Sequence, residues 1–177
     1  MIKPLFLMAF KLINKPRKDR RPDKDEYYLS IAKQISQRST CLKKKFGAII
    51  VKEENIIAAG YMGSPRGTPN CIDIGKCAQE KDKKLLVDNC RGVHAELNAI
   101  INAARAGTSV LNGTMYLYGE GAILNKALFG KPCKSCRKVI VNAGIAEVIV
   151  PGEKGLRRYR TEFWVKEQKK DPFVDVI

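Results

Sequence analysis

The chain carries two short motifs of metal-ligand residues that lie far apart in the sequence. Its only histidine stands in His94-Ala95-Glu96, and downstream follows Pro132-Cys133-Lys134-Ser135-Cys136. A catalytic zinc takes three nitrogen or thiolate ligands and keeps a fourth position open for water. Cysteines three apart in the first turn of a helix project to one side, where unpaired N–H groups favour thiolate, and Pro132 suits such a helix start. The motifs therefore predict a fold that brings two helix N-termini together around one zinc ion, held by His94, Cys133 and Cys136.

Either motif alone is weak evidence. A His-Ala-Glu tripeptide occurs by chance on many helices, and a Cys-x-x-Cys pair also serves as a redox pair or as half of a structural zinc site. Together and in this order they match the H-x-E…P-C-x-x-C signature of zinc-dependent deaminases, which the chain therefore resembles. The resemblance implies a zinc-bound hydroxide as nucleophile, because zinc lowers the pKa of its bound water to about 7. It assigns to Glu96 the transfer of protons from that water to the ring nitrogen and the leaving ammonia.

The charge of the chain is strongly positive and unevenly distributed. The formal net charge is +15, and residues 1–24 hold eight Lys or Arg against two acids. This predicts a basic N-terminal arm at 1–24, followed by one deaminase domain at 25–177. The arm is either a solvated segment or an attractor of a phosphate-bearing partner, a nucleotide or a nucleic acid backbone.

Cysteine usage and hydropathy indicate a location. Six cysteines in a zinc enzyme favour the reducing cytoplasm, because thiolates have to stay free to bind metal. No apolar run is long enough to span a bilayer, so we expect no membrane partner. The most apolar stretch, 4–10, lacks a following cleavage pattern of small residues. We expect it to pack on the domain or on a partner subunit rather than to act as a signal peptide.

Apolar periodicity predicts an α/β chain. Apolar residues at i, i+3, i+4 and i+7 favour helices, and short apolar runs bounded by polar residues favour strands. The predicted elements are helices at 25–39, 94–106 and 133–142, a strand hairpin at 46–51 and 56–61, a loop at 63–88, and strands at 114–118 and 146–150. This alternation indicates a sheet with helices packed on it.

From about 31 to 150 the chain resembles the deoxycytidylate deaminase family. The resemblance rests on 38–41 (RSTC), 46–51 (FGAIIV), 60–67 (GYMGSPRG), 93–100 (VHAELNAI), 132–136 (PCKSC) and 142–145 (NAGI). It implies a three-layer α/β/α cytidine-deaminase-like fold, whose mixed sheet opens with an antiparallel hairpin. It also implies a catalytic Zn²⁺, hydrolysis of deoxycytidine monophosphate to deoxyuridine monophosphate, and a homo-oligomer, dimer or hexamer.

Two other functions stay open at this point. The basic arm and the high charge favour a deaminase that acts on a base in RNA or single-stranded DNA. Such an enzyme needs aromatic stacking partners, for which Tyr118 and Phe129 are candidates. A non-catalytic nucleotide-binding descendant is the third reading, although the retention of Glu96 beside all three zinc ligands argues against it.

The resemblance also implies further site residues. Some family members hold a second, structural zinc with ligands at positions that match Cys41 and Cys71 and in the stretch that contains Cys90. With Cys77 these would form a closed site of four thiolates; the alternative is ordinary buried thiols. For substrate binding, Lys45 matches a family position near the phosphate, and Lys43 and Arg66 are nearby candidates.

The chain departs from the family at two places. Met62 stands where the family has an asparagine, so a side chain with amide donors is replaced by a thioether. Between the strand that ends at Tyr118 and Pro132, residues 119–131 form an insertion. Because it leads into the zinc-binding cysteines, we expect it to border the active-site mouth, where it would reshape substrate choice. The alternative is an elaboration on the solvent side.

Overall fold

The computed structural model describes residues 21–80, 90–124, 126–128 and 131–168. Within them the strands are β1 (Lys44–Lys52), β2 (Asn55–Tyr61), β3 (Thr114–Gly121), β4 (Glu147–Gly152) and β5 (Gly155–Arg160). The helices are α1 (Lys24–Ser36), α2 (Cys71–Ile74), α3 (Ala95–Arg105), α4 (Lys134–Asn142) and α5 (Thr161–Gln168), with a 3₁₀ turn at Ala78–Glu80.

The five strands form one mixed sheet in the order β2-β1-β3-β4-β5. The antiparallel hairpin β1–β2 opens it, β3 pairs antiparallel with β1, β4 runs parallel to β3, and β5 returns antiparallel. Helix α1 covers one face and helices α3 and α4 cover the other, with α5 packed on α4. The predicted three-layer α/β/α fold is confirmed.

Helix α1 begins at a capping box that its sequence supplies. The Asp23 carboxylate accepts the Glu26 N–H at 2.8 Å, and the Glu26 side chain accepts the Asp23 N–H, which satisfies two orphan donors at once. Tyr28, Leu29 and Ala32 then pack on the sheet side chains of β1, β3 and β4. Helix α1 therefore covers this face of the sheet with apolar contacts.

Helix α3 lies unusually close to strand β2. A Cβ built on Gly60 would stand 2.3 Å from the Ala99 nitrogen and 2.6 Å from the Ala95 carbonyl oxygen. In addition, the side-chain amides of Asn98 and Asn102 donate to carbonyls of β2 at 2.8 and 2.7 Å. Small residues and these two amides thus fix the helix whose N-terminus carries His94.

Most predicted elements are confirmed to within a few residues, and four were missed. The loop prediction at 63–88 contains α2 and the 3₁₀ turn, while 81–89 lie outside the described residues. Strand β5 was not predicted, because it is an edge strand rich in arginine and without apolar alternation. Helix α5, which follows it directly, was not predicted either. Residues 1–20 of the basic arm lie outside the described part, and no described helix has the length and apolarity to cross a membrane.

The insertion folds back along the end of β3. Gly121 N–H donates to the Lys126 carbonyl at 2.9 Å, and Leu128 N–H donates to the Gly119 carbonyl at 2.8 Å. Ala122 N–H reaches the Lys43 carbonyl at 3.0 Å, which ties the insertion to β1 as well. The insertion is thus a hydrogen-bonded extension of the sheet's end.

Candidate active site

The two sequence motifs meet at two helix N-termini, as predicted. His94 is the N-cap of α3 and Cys133 is the N-cap of α4. The His94 Nδ1 atom lies 3.5 Å from Cys133 Sγ and 3.3 Å from Cys136 Sγ, and the three ligand atoms all lie within 4.8 Å of one another. Tetrahedral zinc with the usual bond lengths would separate a nitrogen and a sulfur ligand by about 3.6 Å. The donor set therefore fits one zinc ion, and we call these three residues the zinc-ligand cluster.

Local structure prepares Cys133 for this position. Its Sγ accepts the Cys136 N–H at 3.4 Å, so the thiol acts as the helix cap that Ser or Asp would otherwise supply. Cys136 is buried, whereas Cys133 is exposed. The pair thus combines one ligand fixed in the protein interior with one at the edge of the cavity.

Glu96 occupies the first turn of α3, two residues after His94. It is 4% exposed, one of few buried charged residues in the described part of the chain. Burial raises the pKa of its carboxyl, while its own backbone N–H, His94 and Cys136 act in the opposite direction. A buried carboxyl beside the zinc-ligand cluster is suited to hold and release a proton there.

A cavity of about 560 Å³ lies over these groups. Its apolar wall includes Phe46 and Leu117 from the sheet and Leu128 from the insertion. Lys131, also from the insertion, lines it too, so the predicted position of the insertion beside the active-site mouth is confirmed. Phe129, proposed above as a stacking residue, lies outside the described residues, and Tyr118 packs under α1 on the opposite face of the sheet.

Two of the three predicted phosphate contacts lie elsewhere. Side chains alternate along a strand, so Lys45 points to the α1 face, where its Nζ lies 3.2 Å from Gln37 Oε1 and 3.6 Å from Glu120 Oε1. Arg66 donates to Asn102 Oδ1 at 2.6 Å and is not part of the cavity lining. Of the predicted set, Lys43 alone lines the cavity.

Sequence reasoning missed the other cationic groups of this lining. They are Lys44, Arg91, Lys131 and Lys134. For Lys44 a signal was present, since strand parity places it on the same face as Phe46. For Lys131 the signal was its position two residues before Cys133.

Met62 is buried and belongs to the lining. Its Cε would lie 3.1 Å from a Cβ built on Gly92, so the thioether fills the space between β2 and the segment that leads to His94. At this point the cavity wall is therefore apolar.

The other four cysteines converge on the same cavity without forming a tight cluster. Cys41, Cys71, Cys77 and Cys90 all belong to its lining and are free thiols. Burial, followed by the proximity of the other three thiols, raises the pKa of Cys71. Among the described residues, the zinc-ligand cluster is nevertheless the one group of three or more whose ligand atoms come within 4.8 Å. The predicted second zinc site stays a prediction.

Comparison with known proteins places the chain in a family. A model of the cytidine and deoxycytidylate deaminase zinc-binding region matches residues 22–151. The chain is 33% identical over 138 residues to the deoxycytidylate deaminase of Mycobacterium phage D29, covering 75% of the chain and 98% of that protein. It is 37% identical over 130 residues to the deoxycytidylate deaminase of Homo sapiens, covering 73% of the chain and 65% of that protein.

The chain covers some relatives only in part, and it also matches a solved structure of a dCMP deaminase. The match to the deoxycytidylate deaminase of Schizosaccharomyces pombe is 34% identical over 131 residues and spans 73% of the chain but only 37% of that relative. The dCMP deaminase of cyanophage S-TIM5, solved in complex with dCMP and dUMP, superimposes with a TM-score of 0.54 at 28% identity, over 75% of this chain and 84% of that one. Since the family model covers well over half of the chain and both zinc-ligand motifs, this protein belongs to the cytidine and deoxycytidylate deaminase family of zinc-dependent hydrolases.

Proposed function

We propose that the protein hydrolyses deoxycytidine monophosphate to deoxyuridine monophosphate and ammonia. The observation that carries this proposal is the buried Glu96 carboxyl beside the zinc-ligand cluster, at the base of one cavity. Support comes from the phage and human relatives, both deoxycytidylate deaminases.

The residues divide the chemistry between them. His94, Cys133 and Cys136 would hold the zinc, which when bound supplies activation of water for attack on the ring carbon that carries the amino group. Glu96 takes a proton from the water and passes it to the neighbouring ring nitrogen, and it then carries the second proton of that water from the oxygen now bound to the ring carbon to the amino group. The carbon–nitrogen bond then breaks and ammonia leaves, while the carbon keeps the oxygen. Burial keeps the Glu96 carboxyl away from solvent.

The lining of the cavity suits a nucleotide. Phe46, Leu117 and Leu128 offer an apolar wall for the flat pyrimidine, and Lys43, Lys44 and Lys131 supply cations for the phosphate. Met62 has no hydrogen-bond donor, so the sugar has to find its polar contacts elsewhere in the lining.

The test is ammonia release by the zinc-loaded protein from deoxycytidylate, cytidylate, deoxycytidine and a short single-stranded oligonucleotide, assayed side by side. We expect turnover of deoxycytidylate far above the other three. Activity on the oligonucleotide alone would instead assign the protein to the nucleic-acid deaminases, and in that case removal of residues 1–20 would show whether the basic arm is needed. Absence of turnover on every substrate would favour the non-catalytic reading.

We also propose that Cys41, Cys71, Cys77 and Cys90 hold a second, structural zinc. Their convergence around Cys71 supports this, as does the Lys43 N–H that points at Cys41 Sγ at 3.4 Å, since thiolate ligands accept such bonds. Binding would draw the sulfurs together. The metal content should be two zinc ions per chain, falling to one in Cys71→Ser; one zinc in the unmodified protein would mean that these are buried thiols.

A homo-oligomer in the cytoplasm completes the proposal. The edge strand β2 and the adjoining α3 expose three large apolar side chains, Ile56, Tyr61 and Ile101, at 37–42%. Such side chains on neighbouring elements suit burial against a second copy. Light scattering of the zinc-loaded protein should give a dimer or hexamer, and a monomeric mass would contradict it.

A further inference from the structure

Arg137 lies in the first turns of α4 and folds back over the N-terminus of its own helix. Its Nε–H donates to the Pro132 carbonyl at 2.8 Å. The guanidinium carbon lies 5.8 Å from the ring centre of Trp164, and one terminal nitrogen lies 3.7 Å from Glu167 Oε2. Trp164 is 4% exposed, and the Arg137 side chain is 17% exposed. One side chain thus joins α5 to Pro132, the residue that precedes Cys133.

This contact controls the orientation of one peptide plane. The Pro132 carbonyl belongs to the peptide whose nitrogen is that of Cys133, so holding the oxygen also holds the start of Cys133. From there the N-cap conformation of Cys133, with φ −61° and ψ 163°, sends Sγ to within 3.5 Å of His94 Nδ1. Pro132 itself is fully buried. A rotation of this peptide would swing the exposed ligand away from the other two.

The cation–π contact with Trp164 holds the arginine in turn. A guanidinium can place its flat face on an indole and still donate in its own plane, which an ammonium cannot do with the same geometry. Trp164 also packs against Tyr159 of β5, with ring centres 6.2 Å apart. Arg137, Trp164 and the Pro132 carbonyl therefore form a continuous connection from α5 to the zinc-ligand cluster.

We propose that Arg137 is a positioning residue for the zinc site, which sets the zinc affinity through the Pro132–Cys133 peptide and makes that affinity depend on α5. The inference rests on the zinc-ligand cluster and not on the identity of the nucleotide. A ligand that is held in place before the metal arrives loses less conformational freedom on binding, so the bound state is more favourable. Outer partners of metal ligands commonly contribute ten- to hundredfold in metal affinity.

The test compares the full-length protein with Arg137→Met, which keeps the length and apolar stem of the side chain and removes every donor. The matched control is Arg158→Met, because Arg158 pairs with Asp25 and Glu147 and not with Pro132 or a zinc ligand. Zinc dissociation constants are measured by competition with a chromophoric chelator, and Tm is measured with and without zinc. The absorption of the Co²⁺-substituted protein reports on ligand geometry.

We expect Arg137→Met to weaken zinc binding by roughly tenfold or more, to change the Co²⁺ spectrum, and to lower Tm more with zinc than without. Arg158→Met should leave the dissociation constant and the spectrum unchanged. Arg137→Ala serves as a second variant with the same expectation, because alanine is the best helix former and introduces no clash. A wild-type zinc dissociation constant together with an equal fall of both Tm values would show that Arg137 only stabilises the fold, and would overturn the proposal. These readouts need no substrate, so a failed substrate assignment leaves the test intact.

Discussion

Replacement of Gly60 by alanine tests how the fold positions the zinc site. The new Cβ would stand 2.3 Å from the Ala99 nitrogen and 2.6 Å from the Ala95 carbonyl oxygen, both backbone atoms of α3. Ordinary van der Waals contact of a Cβ begins at 3.4 Å. Since backbone atoms cannot rotate away, helix α3 has to move from the sheet by about 1 Å, and a closely packed core resists such a shift.

The size of the effect follows from this displacement. Overpacking of a well-packed core costs about 1–3 kcal/mol, and for a chain of this size each kcal/mol lowers Tm by roughly 2–4 °C. We therefore expect Gly60→Ala to lower Tm by roughly 2–12 °C. Because His94 caps the displaced helix while the cysteines belong to α4, zinc binding should weaken as well, by about tenfold or more, as ligand distances tolerate only about 0.2 Å.

The assay is thermal unfolding with circular dichroism, together with zinc affinity from chelator competition. Gly121→Ala is the matched control, because it also lies in a strand and a Cβ there meets nothing within 4 Å. Its stability should stay within about 0.5 kcal/mol of wild type. If Gly60→Ala kept the wild-type Tm and zinc affinity, close packing of α3 on β2 would not be what positions His94.

Two further predictions concern charged side chains. Lys131→Gln should raise the KM for deoxycytidylate about tenfold, the loss of one charge-assisted hydrogen bond, and leave deoxycytidine turnover unchanged. Lys126→Gln, on the same insertion but outside the lining, should change neither value, and equal effects of the two substitutions would exclude a specific contact of Lys131. Glu120 is buried, which raises its pKa, but hydrogen bonds from Gln37 and Tyr118 and the charge of Lys45 outweigh this and hold it below the usual value. A carboxyl whose pKa is lowered in the folded state stabilises the fold at pH values above its unfolded pKa of about 4.3. That contribution to stability is lost as the pH falls through the folded pKa, so the Tm of wild type should fall more steeply between about pH 5 and 3 than the Tm of Glu120→Gln. Parallel curves would show that the Glu120 contacts contribute nothing to stability.

The convergence of His94, Cys133 and Cys136 could be predicted because its signal is local. Residue type, order and helix-start chemistry around His94, Cys133 and Cys136 specify both the ion and the meeting of two helix N-termini. Lys45 was predicted from a matching family position, but strand parity sends it to Glu120 and gives the cavity lining to Lys44.

Features that depend on long-range contacts could not be predicted from the sequence. Strand β5 has arginines where an alternating strand would have apolar residues, so its pairing with β4 depends on the edge of a sheet formed by other segments. Without β5 and α5, the position of Trp164 is unknown, and nothing marks Arg137 as more than an exposed helix residue. The contact of Arg137 with Pro132 thus emerges only from tertiary packing.

The central claim is that Glu96 moves protons in a zinc site that His94, Cys133 and Cys136 hold without it. The most direct measurement is the zinc content of Glu96→Gln alongside its release of ammonia from deoxycytidylate, both relative to wild type. The account predicts wild-type zinc content and a loss of turnover of at least about a hundredfold, the usual contribution of general acid–base catalysis. Substantial turnover in a fully zinc-loaded variant would contradict it, and loss of zinc would mean that Glu96 belongs to the ligands instead.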